Sequence, residues 1–187
     1  ASNTLTSSYN TGPVSGTADY IGGLVGFANT AQTISSSYNT GEIRNSTGTK
    51  RYVGGLVGAL GSSGASTIQG SYNTGAIYGG SDVGGLVGSA YNASITTSYN
   101  TGTVTGFYCP SNNCNNSGGV GGILGTSTSS GSIYVTISES YNQGTIKGPT
   151  GVGGLVGHGY NNRILDSYNK GNVSGSFLIT HKVFRRG

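Results

Sequence analysis

One tripeptide, Ser-Tyr-Asn, recurs along the whole chain, and its spacing limits the protein to folds made by stacking like units. Its tyrosine falls at Tyr9, Tyr38, Tyr72, Tyr99, Tyr141 and Tyr168, each followed by Asn10, Asn39, Asn73, Asn100, Asn142 and Asn169. Thr-Gly comes next in the first four copies, Gln143-Gly144 in the fifth and Lys170-Gly171 in the sixth. Two residues beyond that glycine stands a β-branched residue: Val14, Ile43, Ile77, Val104, Ile146 and Val173. A second block, Ile21-Gly22-Gly23-Leu24-Val25-Gly26, returns at 53–58, 83–88, 120–125 and 152–157. Four residues before each tyrosine lies a third apolar rank: Leu5, Ile34, Ile68, Ile95, Ile137 and Ile164.

Each unit therefore holds three short β-favouring stretches separated by Gly, Asn and Ser. The shortest unit, Tyr72 to Tyr99, is 27 residues and the longest, Tyr99 to Tyr141, is 42. That length suits one solenoid coil of three strands and is too short for a propeller blade. Glycine interrupts every stretch that would keep a helical apolar period, so helix is disfavoured. The expected fold is all-β: a parallel β-solenoid (β-helix) of about six coils, forming a single domain over 1–187. Pairing of successive coils at roughly 4.8 Å gives a rod on the order of 25–30 Å long. The Ile, Val and Leu ranks would fill its interior, and the tyrosines would stack ring on ring, inside or on a face. The asparagines suit a corner, where Asn tolerates left-handed backbone and its amide can bond the coil above. The glycine pair before the leucine lets backbone approach closely or bend.

Composition agrees. Glycine numbers 37 of 187 residues, which alone would suggest disorder or a fibrous chain. The 33% of apolar residues falls at regular positions, so the glycine reads as geometry. Only 7% of residues are charged, and the net charge of +4 arises from scattered Lys and Arg, apart from Lys182, Arg185 and Arg186 near the end. A nucleic-acid binder would show a dense basic stripe, so no nucleic-acid partner is expected. No apolar run reaches membrane-spanning length and no signal peptide is evident, so no membrane insertion is expected and the chain reads as a mature or excised segment. Cys109 and Cys114 close a small loop with no histidine or second cysteine pair nearby, which favours a disulfide and an oxidising compartment over zinc. With so few acids and no calcium-binding repeat, no metal or other cofactor is expected. Asn-x-Ser/Thr sequons begin at Asn45, Asn92, Asn115 and Asn172.

The Gly-Gly-Leu-Val-Gly blocks, alternating with Ser-Tyr-Asn-Thr-Gly, resemble the GLUG motif, named for its Gly-Leu-any-Gly core. The likeness runs over nearly the whole chain, with Leu24, Leu56, Leu86, Ile123 and Leu155 at the leucine position. That family occurs in large bacterial surface and secreted proteins, including adhesin-like chains and IgA-specific metalloendopeptidases, where the repeats are accessory to a zinc domain. No His-Glu-x-x-His occurs in this sequence. The resemblance thus implies an extracellular or cell-surface setting and a structural or adhesive role, without the peptidase activity.

Departures from the repeat mark the remaining candidates. From each tyrosine to the next leucine position the steps are 15, 18, 14, 24 and 14 residues, and from there to the next tyrosine 14, 16, 13, 18 and 13. The second and fourth coils carry the insertions, the largest being a loop over 103–119 that holds both cysteines. Loops on rigid scaffolds often carry function, though a tolerated surface insertion explains it equally. The terminal coil, 168–187, is atypical: Ile179-Thr180-His181-Lys182-Val183-Phe184 stands where the glycine block is due. Together with Phe177, Arg185 and Arg186 it fits an end cap, a joint to another subunit or simple truncation.

Catalysis would need clustered groups. Glu139 and Asp166 each lie two residues before a tyrosine of consecutive coils, and stacked in register would stand about 5 Å apart, near the separation used by retaining glycosidases. One coincidence of position without a groove is thin, a solvated face relieved by Arg163, Lys147 or Lys170 explains it, and no enzyme is expected. His158 and His181 have no partner at a recognisable spacing. The rank Thr11, Thr40, Thr74 and Thr101 resembles that of ice-binding solenoids, but it is single and fails at Gln143 and Lys170. Two functional classes therefore fit. One is a non-catalytic structural or adhesive rod, either a segment of a larger surface protein or a filament subunit that self-associates through its ends, with a host or matrix glycan or protein as possible partner. The other is a carbohydrate-binding or carbohydrate-processing β-helix that uses the Tyr and Asn ranks as a platform.

Overall fold

The computed structural model describes residues 3–47, 51–107 and 118–175. Every element is a β-strand, all pairing is parallel, and successive strands of each sheet come from successive coils. Five sheets run the length of the rod. The first holds Asn3–Thr6, Gln32–Ser35, Ser66–Gln69, Ala93–Thr96, Val135–Ser138 and Asn162–Leu165. The second consists of the six Tyr-Asn pairs, from Tyr9–Asn10 to Tyr168–Asn169. The third runs from Val14–Gly16 to Val173–Gly175, the fourth from Ile21–Gly22 to Val152–Gly153, and the fifth from Val25–Thr30 to Val156–Tyr160. Sheets one to three have six strands and sheets four and five have five, giving about five full turns and part of a sixth.

The solenoid expected from the repeat is thus present, with five short strands per coil because two of the three stretches break. Thr-Gly parts the Tyr-Asn strand from the β-branched strand that follows. Gly-Leu parts the fourth strand from the fifth. The repeating ranks pair as the sequence aligns them: Leu5 with Ile34, Tyr72 with Tyr99, Ile77 with Val104, and Val83 with Val120.

The glycine block explains the shape of the coil. Its first residue, Val53 for example, packs with the third sheet, in a column containing Ile43, Ile77, Val83, Val104 and Ile146. Its leucine and next residue, Leu56 and Val57, pack with the first sheet, in a second column containing Ile34, Ile68, Ile95 and Ile137. The fourth and fifth strands therefore form an inward arch with an apolar column on either side. Their mutual faces are glycine: a Cβ on Gly54 would lie 2.0 Å from the Val57 carbonyl oxygen and 2.7 Å from the Gly88 nitrogen. Nothing larger than hydrogen fits between the two strands. Removing both apolar columns from water is what stabilises a chain with so few large residues.

Corners fall where backbone turns left-handed. Residues two before the tyrosine, namely Ser7, Ser36, Gly70, Thr97, Glu139 and Asp166, all have φ between +46° and +54°. The following serine secures that corner: its backbone N–H donates to the serine Oγ of the next coil, as in Ser37 to Ser71 and Ser71 to Ser98, both 3.1 Å.

Candidate functional site

The second sheet places its two residues on opposite faces, as strand pleating requires. Asparagine points inward: Asn39, Asn73, Asn100 and Asn142 are fully buried. Each donates from Nδ2 to Oδ1 of the asparagine one coil on, an unbroken series from Asn10 to Asn169 with every bond 2.7 Å. The same Nδ2 donates to the glycine carbonyl two residues later, as in Asn73 to Gly75 at 2.8 Å. The amide thus ties one coil to the next and closes its own turn. Opposite lies the tip of the glycine arch: a Cβ on Gly85 would stand 2.5 Å from Cγ of Asn100. The asparagines do not take the left-handed corner expected of them; that conformation belongs to the residue three positions earlier.

Tyrosine points outward. The six rings stack with centroids 4.9–5.3 Å apart and planes within 8° of parallel. Stacking covers the faces of the four inner rings and leaves their edges and hydroxyls to solvent. The end rings of Tyr9 and Tyr168, 63% and 44% exposed, are stacked on one side only, and the Lys170 ammonium lies over the Tyr168 ring, 5.1 Å from its centroid. Stacking therefore closes this rank as a sugar platform of aromatic faces except at its ends. The Tyr99 phenol is held above its ordinary pKa by burial first, and then by Tyr141 and Tyr72.

The other sequence candidates do not gather into a site with the tyrosine and asparagine ranks. Glu139 and Asp166 occupy exposed left-handed corners of consecutive coils. Among the described residues no three His, Cys, Asp or Glu side chains gather as a metal site. The threonine rank Thr11, Thr40, Thr74 and Thr101 is exposed. The disulfide of Cys109 and Cys114 and the cap or joint at Phe177, Ile179, His181, Lys182, Val183, Phe184, Arg185 and Arg186 lie outside the described residues. Within the expected loop 103–119, Val104–Gly106 is a regular strand of the third sheet, and within the expected terminal coil Tyr168–Asn169 and Val173–Gly175 pair in normal register.

Two features had no clear sequence signal. The buried carboxylate of Asp82 accepts from Nε of Arg51, 2.7 Å away in the preceding coil, while its Oδ1 has no partner. Burial pulls the Arg51 guanidinium down, but the hydrogen bond and charge of Asp82 outweigh it and keep the group above its ordinary pKa. The outward rank of the first sheet is hydroxylated at Thr4, Thr33, Thr67, Ser94 and Thr136 and ends on Arg163.

A model of the GLUG motif matches the chain over residues 79–105 and again over 148–174. Two coils of the chain match the GLUG motif. Each GLUG match is one coil long and runs from the end of one third-sheet strand, through the glycine arch and the Tyr-Asn pair, into the next. The Gly-Leu-any-Gly core of the motif is the arch itself, with leucine aimed into one apolar column and glycine facing the opposite strand. No curated protein and no solved structure matches the chain.

Proposed function

We propose that this GLUG solenoid is a non-catalytic structural and adhesive rod that works outside the cell, at a bacterial surface. The observation that carries this reading is the continuity of the ladders: asparagine, serine and tyrosine ranks pass through every described coil without a break in register. Such a rank spends its polar groups on holding one coil to the next. Catalysis would instead need polar groups freed and gathered, and the two weak candidates, Glu139 and Asp166, stand on exposed corners. The near absence of charge suits a rigid spacer, and a host or matrix glycan or protein is the partner class for its outer faces.

The test is a pair of assays on the purified whole chain. Beads coated with it are expected to adhere to immobilised matrix glycans or proteins, with no release of reducing sugar from a panel of polysaccharides. Sugar release that disappears in Glu139→Gln or Asp166→Asn would overturn the reading in favour of a carbohydrate-processing β-helix.

A further inference from the structure

The polar ranks of this solenoid are of two kinds. Inner asparagines and corner serines spend their hydrogen bonds on holding one coil to the next. The first sheet carries a pair of ranks that do not. In Gln32–Ser35, Ser66–Gln69, Ala93–Thr96 and Val135–Ser138 the first and third residues are buried, so pleating turns the second and fourth outward. Those outward pairs are Thr33 and Ser35, Thr67 and Gln69, Ser94 and Thr96, and Thr136 and Ser138, with Gln69 the exception to a hydroxyl at every position.

These hydroxyls are unengaged. Ser35 Oγ meets Thr6 Oγ1 at 3.2 Å, but among the described residues the side-chain oxygens of Thr33, Thr67, Ser94, Thr96, Thr136 and Ser138 bond to no protein group. Their positions are nonetheless fixed by the ladder beneath. Thr33, Thr67, Ser94 and Thr136 pair in one line, and Ser35, Gln69, Thr96 and Ser138 in a second, with no shift of register between them. Arg163 and Leu165 end the two lines.

Two lines side by side make a grid, with steps of about 4.8 Å along the axis and roughly 6.6 Å across it. The grid selects its partner. A single extended chain, sugar or peptide, repeats in one direction, whereas this face repeats in two. The partner is also uncharged: none of the four strands carries a charged residue, and Asp19, Glu42, Arg44, Arg51 and Asp82 lie in or beside the third and fourth sheets. A sugar ring finds no aromatic face on the neighbouring sheet, because the inner tyrosines close theirs by stacking. What remains is water. Each free hydroxyl can hold an ordered water, and a rigid grid removes most of the entropy cost of holding many in a pattern. Ice has oxygen rows at intervals close to both steps.

We propose that the outward face of the first sheet, over residues 32–138, is an ice-binding surface, whose paired hydroxyl ranks hold a layer of water that joins the lattice of an ice crystal. The threonine rank noticed in the sequence, Thr11, Thr40, Thr74 and Thr101, is a different one: it is single and lies beyond the tyrosines, between the second and third sheets. The inference goes beyond the rod reading above and adds a surface that the rod can hold.

The test is the growth of single ice crystals in solutions of the whole chain, with the share of protein that enters slowly growing ice. The wild-type chain is expected to shape crystals into facets, to open a gap between melting and freezing, and to enter the ice. Thr67→Lys and Thr96→Lys put a charge on the grid without removing any internal bond, so each is expected to fold normally by thermal melting and to lose the gap. Thr74→Lys, on the other rank, is expected to keep it. Gln69→Thr completes the grid and is expected to widen the gap, a gain that misfolding cannot imitate. Round crystals with the wild-type protein left in the liquid would overturn the inference, as would folded Thr67→Lys and Thr96→Lys that shape ice as the wild type does. Binding to crystalline cellulose or chitin without ice shaping would overturn it in favour of a polysaccharide surface. Adhesion to matrix glycans or proteins with no effect on ice removes this inference and leaves the adhesive rod, whereas sugar turnover removes the rod reading without touching this face.

Discussion

At the scale of single residues, the fold depends on groups that are small or polar rather than large and apolar. Asn100 serves three neighbours at once: it accepts from Asn73 and donates to Asn142 and to the Gly102 carbonyl. Asn100→Ala leaves those buried groups without partners, and the expected cost is about 2–4 kcal/mol in denaturant unfolding. A loss below about 1 kcal/mol would mean that the amide series contributes little. Glycines divide into two kinds that the sequence does not distinguish. At Gly85 an added Cβ would lie 2.1 Å from the Gly122 carbonyl oxygen and 2.5 Å from Asn100. At Gly70 it would meet nothing within 4 Å, and the backbone has φ of +54°. Gly85→Ala is therefore expected to abolish cooperative folding, while Gly70→Asn, suited to left-handed backbone, should move stability by no more than about 0.5 kcal/mol. Thermal melts of the two side by side decide it.

At the scale of the element, the Tyr-Asn strand shows what could and could not be read in advance. Its recurrence, its pairing register and the bond between successive amides follow from the spacing alone. Its facing does not, because a two-residue strand offers one polar and one aromatic side chain and no longer alternation to fix which is buried. The glycine arch decides the matter: only a short flat amide fits against Gly23, Gly55, Gly85, Gly122 and Gly154, so tyrosine is turned out. That decision depends on a contact between distant parts of the coil, which no local pattern states. The break of the glycine block into two strands was hidden for the same reason. The resulting tyrosine column has a consequence in alkali. With its pKa raised in the folded protein, Tyr99 keeps its proton when the unfolded chain has lost it, so folding stability is full below the unfolded value of about 10 and falls as pH rises through it. The Tyr99 phenolate, followed by NMR of the labelled ring, should form at higher pH in the native rod than in urea. Coincident titrations would show that burial in the column has no effect on this phenol.

At the scale of the whole molecule, the sequence conveys architecture better than site. Six aligned ranks dictate a stack of coils, and GLUG matches at 79–105 and 148–174 mark two of its units. Asp82 illustrates the opposite: its burial and its bond to Arg51 arise from a corner between coils, and five scattered acids in the sequence give no hint which would be enclosed. The direction of the asparagine bonds has one further consequence. Every amide dipole of the series points the same way along the axis, so the rod has an arrow. A coil turned end for end within the stack would set donor against donor and acceptor against acceptor, so every coil must enter in the same direction.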